Sequence, residues 1–178
     1  MSDVLQRSVQ MLAYSSSLTR AIAVFCAAIL LFILIPAWLL VAFRQRWRIT
    51  LASVLQTVLL FGLSYVAAKL LSHVIFDQRP YLLQHIQPLI PLAQDNGFPS
   101  DHTLLAWALA LSLIWLAPAA VWPFVVGAVL VMLGRLGVAA HHTLDVAGSA
   151  LIVAAVTLTL DHLPLPPSWR QRLFADRR

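Results

Sequence analysis

Long apolar runs alternate along this chain with short polar clusters, and that alternation predicts its elements. Residues 21–43 carry no charged side chain, which at about 1.5 Å per helical residue is enough to cross a hydrocarbon core of roughly 30 Å. Arg44, Arg46 and Arg48 close that run, and a second covers 51–76, interrupted only by Lys69, Ser72 and His73 near its far end. After a polar segment over 77–101, a third run covers 103–117, a tight apolar turn 118–123, a fourth run 124–137 and a fifth 146–160. The pattern predicts an all-α integral membrane protein, a bundle of about five transmembrane helices. Pro36 lies inside the first run, where a bilayer helix tolerates a kink.

Composition agrees with the pattern. Of 178 residues, 61% are hydrophobic and 11% charged, and the mean hydropathy is +0.85, far outside the soluble range. No Gly/Ser-rich or Pro-rich linker separates the runs, so residues 1–178 read as one transmembrane domain. Residues 1–19, with Val4, Leu5, Val9 and Leu12 at helical spacing among polar side chains, read as an interfacial N-terminal segment. They lack the basic start, short apolar core and small-residue cleavage site of a signal peptide. Residues 163–178 form a basic tail with Arg170, Arg172, Arg177 and Arg178, and Trp169 suits an interface. Trp107, Trp115 and Trp122 read as lipid-facing or interfacial.

Charge sets the orientation. The net +5 comes from eleven arginines and one lysine against seven aspartates. Basic residues close to span ends stay cytoplasmic, so the Arg44/46/48 loop and the tail belong on one side. With five spans this places the N-terminus outside, and it brings 77–101 and 135–145 together on the external face of the membrane. The basic clusters point to membrane lipids as partners. Nucleic acid is excluded as a partner by the absence of interleaved aromatic and basic residues in any soluble segment. Cys26 is the only cysteine, so there is no intramolecular disulfide and no cysteine-based metal cage. Oligomeric state is not legible.

Three polar clusters at span ends carry the candidate chemistry. In the third, Arg135 precedes His141 by six residues and Asp145 follows four later, so His141 and Asp145 are expected on one helical face. Six steps of about 100° place Arg135 some 240° from His141, so a helix break near Gly137 is expected to fold Arg135 back. A carboxylate that accepts a proton from one ring nitrogen makes the other a better nucleophile or base. Arg79 and Arg135 offer planar forks for phosphate oxygens. Ser100 offers a hydroxyl and a backbone N–H at the start of a helix, where anions are favoured, and His102 follows as a candidate acid. Taken singly, Arg79, His102 and Arg135 would each read as interfacial anchors; taken together at one membrane face they read as one phosphate-handling site.

The strings Asp77-Gln78-Arg79-Pro80-Tyr81, Asp95-Asn96-Gly97-Phe98-Pro99-Ser100-Asp101-His102 and Arg135-x5-His141-x3-Asp145 resemble the three signature motifs of the phosphatidic acid phosphatase type 2 superfamily. They most resemble its bacitracin-resistance branch, the undecaprenyl-pyrophosphate phosphatases, since Asp101 stands where the wider superfamily often has glycine. The resemblance covers roughly residues 60–160. It implies that His141 attacks the terminal phosphorus and forms a phosphohistidine, that Asp145 orients it, and that His102 protonates the leaving lipid phosphate. It implies that Arg79, Ser100 and Arg135 hold the phosphoryl oxygens, with no metal and no cofactor, and that the substrate partner is a polyprenyl pyrophosphate lipid.

The chain departs from the family at one place. The lysine expected seven positions before the motif arginine is Ser72, and Lys69 lies one turn earlier. Lys69 either reaches the same phosphate or snorkels to the surface. His142, His85 and Asp95 read as surface or entrance residues, and Asp101 either caps the third span or positions His102. Asp161 and His162 pair at the cytoplasmic end. Two alternatives remain open: the same chemistry on another lipid phosphate, such as phosphatidic acid, phosphatidylglycerol phosphate or diacylglycerol pyrophosphate, and a non-enzymatic membrane transporter. The absence of an inverted repeat and of paired broken helices speaks against the transporter.

Overall fold

The computed structural model describes residues 3–173. Arg177 and Arg178 of the basic tail lie outside the described residues. Among the described residues the chain is helical, without a β-strand. Four stretches are long and apolar enough to cross a membrane: Ser17–Arg44, Leu51–Val74, Pro118–Gly137 and Thr143–Asp161. A fifth apolar helix, Asp101–Leu116, is shorter at 16 residues, about 24 Å of rise.

In chain order, α1 (Val4–Tyr14) is capped by the Asp3 side chain, which accepts from the Gln6 N–H at 3.0 Å. The first span is α2 (Ser17–Val24), a wide π-turn (Phe25–Ile29) and α3 (Leu30–Arg44). It begins four residues before the apolar run, because Ser16 and Thr19 form a capping box. Pro36 lies within α3, downstream of the π-turn. The second span, α4 (Leu51–Val74), also opens on a capping box, here Thr50 with Ser53. One helical turn, α5 (Pro80–Leu83), lies in the segment after it. Then come α6 (Asp101–Leu116), α7 (Val121–Gly137) and α8 (Thr143–Asp161). The expected turn over 118–123 is a single tight turn, Pro118–Ala120. Pro123 instead falls in the first turn of α7, where its missing N–H costs nothing. Likewise α6 and α8 begin at Asp101 and Thr143, ahead of the apolar runs: the first turn of a helix tolerates polar residues, and at α8 the Asp145 side chain accepts from the His142 N–H.

Helix α6 is central, packed against α3, α4, α7 and α8. Its buried small residues Ala106, Ala108 and Ala110 allow the close helix approach typical of membrane bundles. Polar side chains tie the spans together without orphaning themselves: Trp38 Nε1 donates to Ser112 Oγ at 2.9 Å and Gln56 Nε2 to the Leu160 carbonyl at 3.0 Å. Trp107 Nε1 donates to Met132 Sδ at 3.0 Å and Trp115 Nε1 to Asp161 Oδ1 at 3.1 Å. These two tryptophans therefore stitch helices together, and only Trp122, 75% exposed, fits the lipid-facing expectation. Asp161 bonds Trp115, while His162 Nδ1 lies against the Leu158 carbonyl.

The two ends of the bundle differ. At one, the Leu173 N–H donates to the Ile49 carbonyl at 2.9 Å and Thr50 bridges Arg172, so the tail and the Arg44/46/48 loop meet. At the other, α1 packs on α7 and the 77–100 segment folds over the helix ends. Asp3 accepts from the Thr143 N–H and hydroxyl at 2.6 and 2.7 Å, Tyr14 donates to the Gln87 carbonyl, and Gln84 Nε2 donates to Gln6 Oε1. The N-terminal segment is thus an integral part of this end, not a loose one.

Candidate active site

Arg135 occupies the last turn of α7, and the helix stops at Gly137. The chain turns back through Ala139 at φ 58, a left-handed conformation, and returns His141 over the end of the helix it left. The expected break is there, and it brings Arg135 Nη2 to 3.3 Å from His141 Nε2. Arg79 arrives from the other side, its Nη1 3.3 Å from the same Nε2 and donating to the Ala140 carbonyl at 3.1 Å. Two guanidinium groups converge on one ring nitrogen.

The other ring nitrogen fixes the tautomer. His141 Nδ1 lies 2.8 Å from the Gly97 carbonyl, and a carbonyl only accepts, so Nδ1 carries the proton and the unprotonated Nε2 is the acceptor facing the two guanidinium groups. Gly97 is required for that approach, because a Cβ there would stand 3.0 Å from the Asp77 carbonyl and 3.1 Å from Asp145 Oδ2. The expectation that His141 and Asp145 share a helical face needs correction. Helix α8 begins at Thr143, so His141 precedes it. Its Nδ1 is 3.6 Å from Asp145 Oδ2, whereas that oxygen accepts from the His142 N–H at 2.8 Å. The Gly97 carbonyl holds the ring, and the wholly buried Asp145 lies behind it while capping α8.

Burial lowers the His141 pKa well below its ordinary value, and the charges of Arg135 and Arg79 lower it further. Both effects favour the neutral form of the imidazole. Asp95, read from sequence as a surface or entrance residue, does line the cavity with its side chain 64% exposed, and it also grips Arg79, accepting from Nε and Nη2 at 2.9 and 2.7 Å. Burial raises its pKa, but the Arg79 hydrogen bonds and charge outweigh this and hold it below the usual carboxylate range. His142 is likewise engaged, with Nδ1 2.9 Å from Asp77 Oδ2. Burial, then the nearby Asp145 charge, raises the Asp77 pKa. Sequence spacing pointed to neither pair, since each joins residues 16 or 65 positions apart.

Arg135 Nη1 donates to the Ala27 carbonyl at 3.4 Å, in the π-turn of the first span, and its buried Nε has no partner among the described residues. A buried cation with an unsatisfied donor beside a second guanidinium suits an anion with several acceptor oxygens. A cavity of about 760 Å³ opens in front of it, lined among others by Arg79, Arg135, His141, His102, Lys69 and Phe32.

Ser100 does not line that cavity. It is wholly buried behind the start of α6, where its Oγ accepts from the Thr103 hydroxyl at 3.1 Å and its N–H lies 3.4 Å from the Asp145 carbonyl. The expected contact with phosphate is not made from this position, where the hydroxyl is engaged by Thr103. Helix α6 has no side-chain cap, so Asp101 does not cap it. Asp101 instead pairs with Lys69, Nζ to Oδ1 3.4 Å. As for metals, Asp77, His142 and Asp145 offer ligand atoms within 4.8 Å of one another. Two of them are already hydrogen-bonded together, at 2.9 Å, and the group lies outside the cavity lining.

Residues 49–164 match the PAP2 superfamily. The chain is 34% identical over 103 residues to Undecaprenyl-diphosphatase BcrC of Bacillus subtilis, covering 56% of this chain and 53% of that one. It is 29% identical over 100 residues to Bacitracin transport permease protein BcrC of Bacillus licheniformis, covering 56% of this chain and 49% of that one. The chain thus spans about half the length of the curated relatives it matches. No solved structure matches it.

Proposed function

The chain belongs to the PAP2 superfamily, and from that premise we propose that it is an undecaprenyl-diphosphate phosphatase using His141 as nucleophile, without a metal or cofactor. The observation that carries the reading is the His141 Nε2 lone pair, 3.3 Å from one nitrogen of each of two guanidinium groups, with Nδ1 fixed by a carbonyl. A phosphoryl group between Arg79 and Arg135 would balance their charge and present its phosphorus to Nε2.

In this mechanism Nε2 attacks the terminal phosphorus. The bond to the bridging oxygen breaks, its electron pair leaves with the lipid phosphate, and His102 supplies the proton. Water then attacks the phosphohistidine, giving a proton to His102. The P–N electron pair returns to the ring and inorganic phosphate departs. Arg79 and Arg135 hold the equatorial oxygens as charge shifts, and Asp145 steadies the ring from behind. The product is the carrier lipid phosphate used again in cell-wall synthesis.

The chain is a membrane protein. We place its site on the external face of the bacterial inner membrane, with the N-terminus on that side and the C-terminus cytoplasmic. The meeting of the tail with the Arg44/46/48 loop at the opposite end supports this orientation.

The test is phosphate release from undecaprenyl diphosphate by purified protein in EDTA. Release is expected, along with an acid-labile, base-stable phosphoprotein that His141→Ala abolishes. A strict need for divalent metal, or a folded His141→Ala protein with near-full turnover, would sink the mechanism. Absence of phosphate release, with bacitracin or lipid moved across vesicles instead, would favour the transport reading suggested by the second relative's name.

A further inference from the structure

A second cavity adjoins the catalytic one, sharing Asp101 in its wall, and none of the assigned chemistry uses it. Besides the guanidinium pair, the wall of the catalytic cavity includes Lys69 from α4 and Asp101 and His102 from the start of α6. Asp101 also lines the second, apolar cavity of about 420 Å³, together with Phe61 and Tyr65 of α4 and Leu104, Leu105 and Ala108 of α6. Lys69 bridges the two, with Nζ 3.4 Å from Asp101 Oδ1 and 5.3 Å from the centre of the Tyr65 ring. The spacing explains why they adjoin. Residues 61, 65 and 69 form one stripe of α4 and 101, 104, 105 and 108 one stripe of α6, each at three- and four-residue steps. The stripe on α4 extends about 12 Å from Lys69 to Phe61, facing the start of the apolar helix α6.

Two cationic positions, one deep in the cavity and one at its junction with an apolar groove, match a molecule with two linked phosphates and a hydrocarbon chain. The guanidinium pair is occupied by the phosphoryl group under attack. The oxygen that leaves carries the second phosphate, which needs its own cation. Ser72 also lines the cavity, but its hydroxyl donates to the Lys69 carbonyl at 2.7 Å, so its proton is committed to its own helix and it brings no positive charge. Lys69 is three residues earlier, on nearly the same side of α4 and about 4.5 Å further into the membrane. That displacement moves the ammonium toward the lipid-linked phosphate. The existing Lys69–Asp101 pair is exposed on both sides, 45% and 65%, and exposed pairs are weak, so a phosphate displaces Asp101 readily.

We propose that the lipid-linked phosphate of the diphosphate substrate binds at Lys69 and that its hydrocarbon chain runs down the groove between α4 and α6. This rests on the phosphatase reading above, and it adds the exit path of the chain and the basis for preferring a diphosphate.

The experiment compares wild type, Lys69→Ala and Leu105→Trp on three substrates: undecaprenyl diphosphate, a short-chain isoprenyl diphosphate and a soluble aryl monophosphate. Lys69→Ala is expected to lower kcat/KM on both diphosphates about ten- to a hundredfold more than on the monophosphate. Lys69→Arg should recover most of that loss. Leu105→Trp should raise KM for the long-chain substrate about tenfold more than for the short one, whose turnover also reports that the variant is folded. Equal losses on mono- and diphosphates for Lys69→Ala would assign Lys69 to the transferred phosphoryl group and overturn the subsite. Equal effects on both chain lengths for Leu105→Trp would overturn the groove. Wild type that cleaves none of the three would refute the phosphatase reading itself, an outcome distinct from both.

Discussion

Replacing Gly134 by alanine should disable the site without touching any group that meets substrate. Helix α7 crosses the π-turn of the first span at this residue. A Cβ on Gly134 would lie 2.5 Å from the Ala27 nitrogen and 2.7 Å from both the carbonyl carbon and the Cβ of Cys26. Backbone atoms cannot swing aside, so reaching the 3.4 Å at which ordinary contact begins requires the helices to part by about 0.9 Å at this point. The next residue is Arg135, whose bond to the Ala27 carbonyl is already long at 3.4 Å and would break. The guanidinium would withdraw from His141 Nε2 by a similar amount. A misplacement of about 1 Å costs up to ~10²-fold in rate, and forced overpacking costs about 1–3 kcal/mol of stability. The assay is kcat/KM for phosphate release from undecaprenyl diphosphate, paired with thermal unfolding in detergent. Gly62→Ala is the control, because a Cβ there meets nothing within 4 Å. Near-wild-type activity and an unchanged unfolding midpoint in Gly134→Ala would refute the idea that this helix crossing positions Arg135.

The remaining predictions test other parts of the same arrangement. Asp95→Asn keeps the shape but weakens the grip on Arg79, so kcat/KM should fall about tenfold, chiefly through KM; an unaltered KM would show that Arg79 holds its place without this partner. The lowered His141 pKa places the acid limb of kcat/KM below the ordinary value of 6.5. Removing one of the charges that lowers it, in Arg135→Gln, should move that limb upward in a residual-activity pH profile, and a limb that stays put would disconnect it from His141. The same depression makes the unfolded chain bind the extra proton first. Stability from this group is therefore complete above 6.5 and declines as pH falls toward the folded-state pKa, which pH-dependent unfolding should register. Gln94 is exposed on the segment over the site, so Gln94→Cys should react with an impermeant thiol reagent added outside intact cells, with buried Cys26 as the low background; protection from outside would invert the proposed orientation.

Much of this protein was legible in order along the chain. Apolar run lengths determine that it is a membrane bundle, because a bilayer offers the backbone no hydrogen-bond partner outside a helix. The six-residue gap from Arg135 to His141 determines that α7 must end between them, because a continuous helix would point the two side chains apart. The family match over 49–164 also rests on motifs visible in one dimension. What stayed hidden is everything that depends on partners distant in sequence or on the direction of a side chain at a helix end. Spacing favoured Asp145 as the partner of His141, but the loop geometry gives that place to the Gly97 carbonyl, 44 residues away in the chain. Ser100 was expected to face the phosphate, and the fold places its hydroxyl, wholly buried, against that of Thr103. Asp95 read as a surface or entrance residue, and the fold also brings it to Arg79. The sequence by itself thus determined the helices and the chemical inventory, since both follow from local periodicity and residue type. Only the tertiary structure decided which carbonyl fixes the ring, which carboxylate grips the arginine and which pair of helices opens toward the lipid, because backbone acceptors and grooves leave no mark on a one-dimensional pattern.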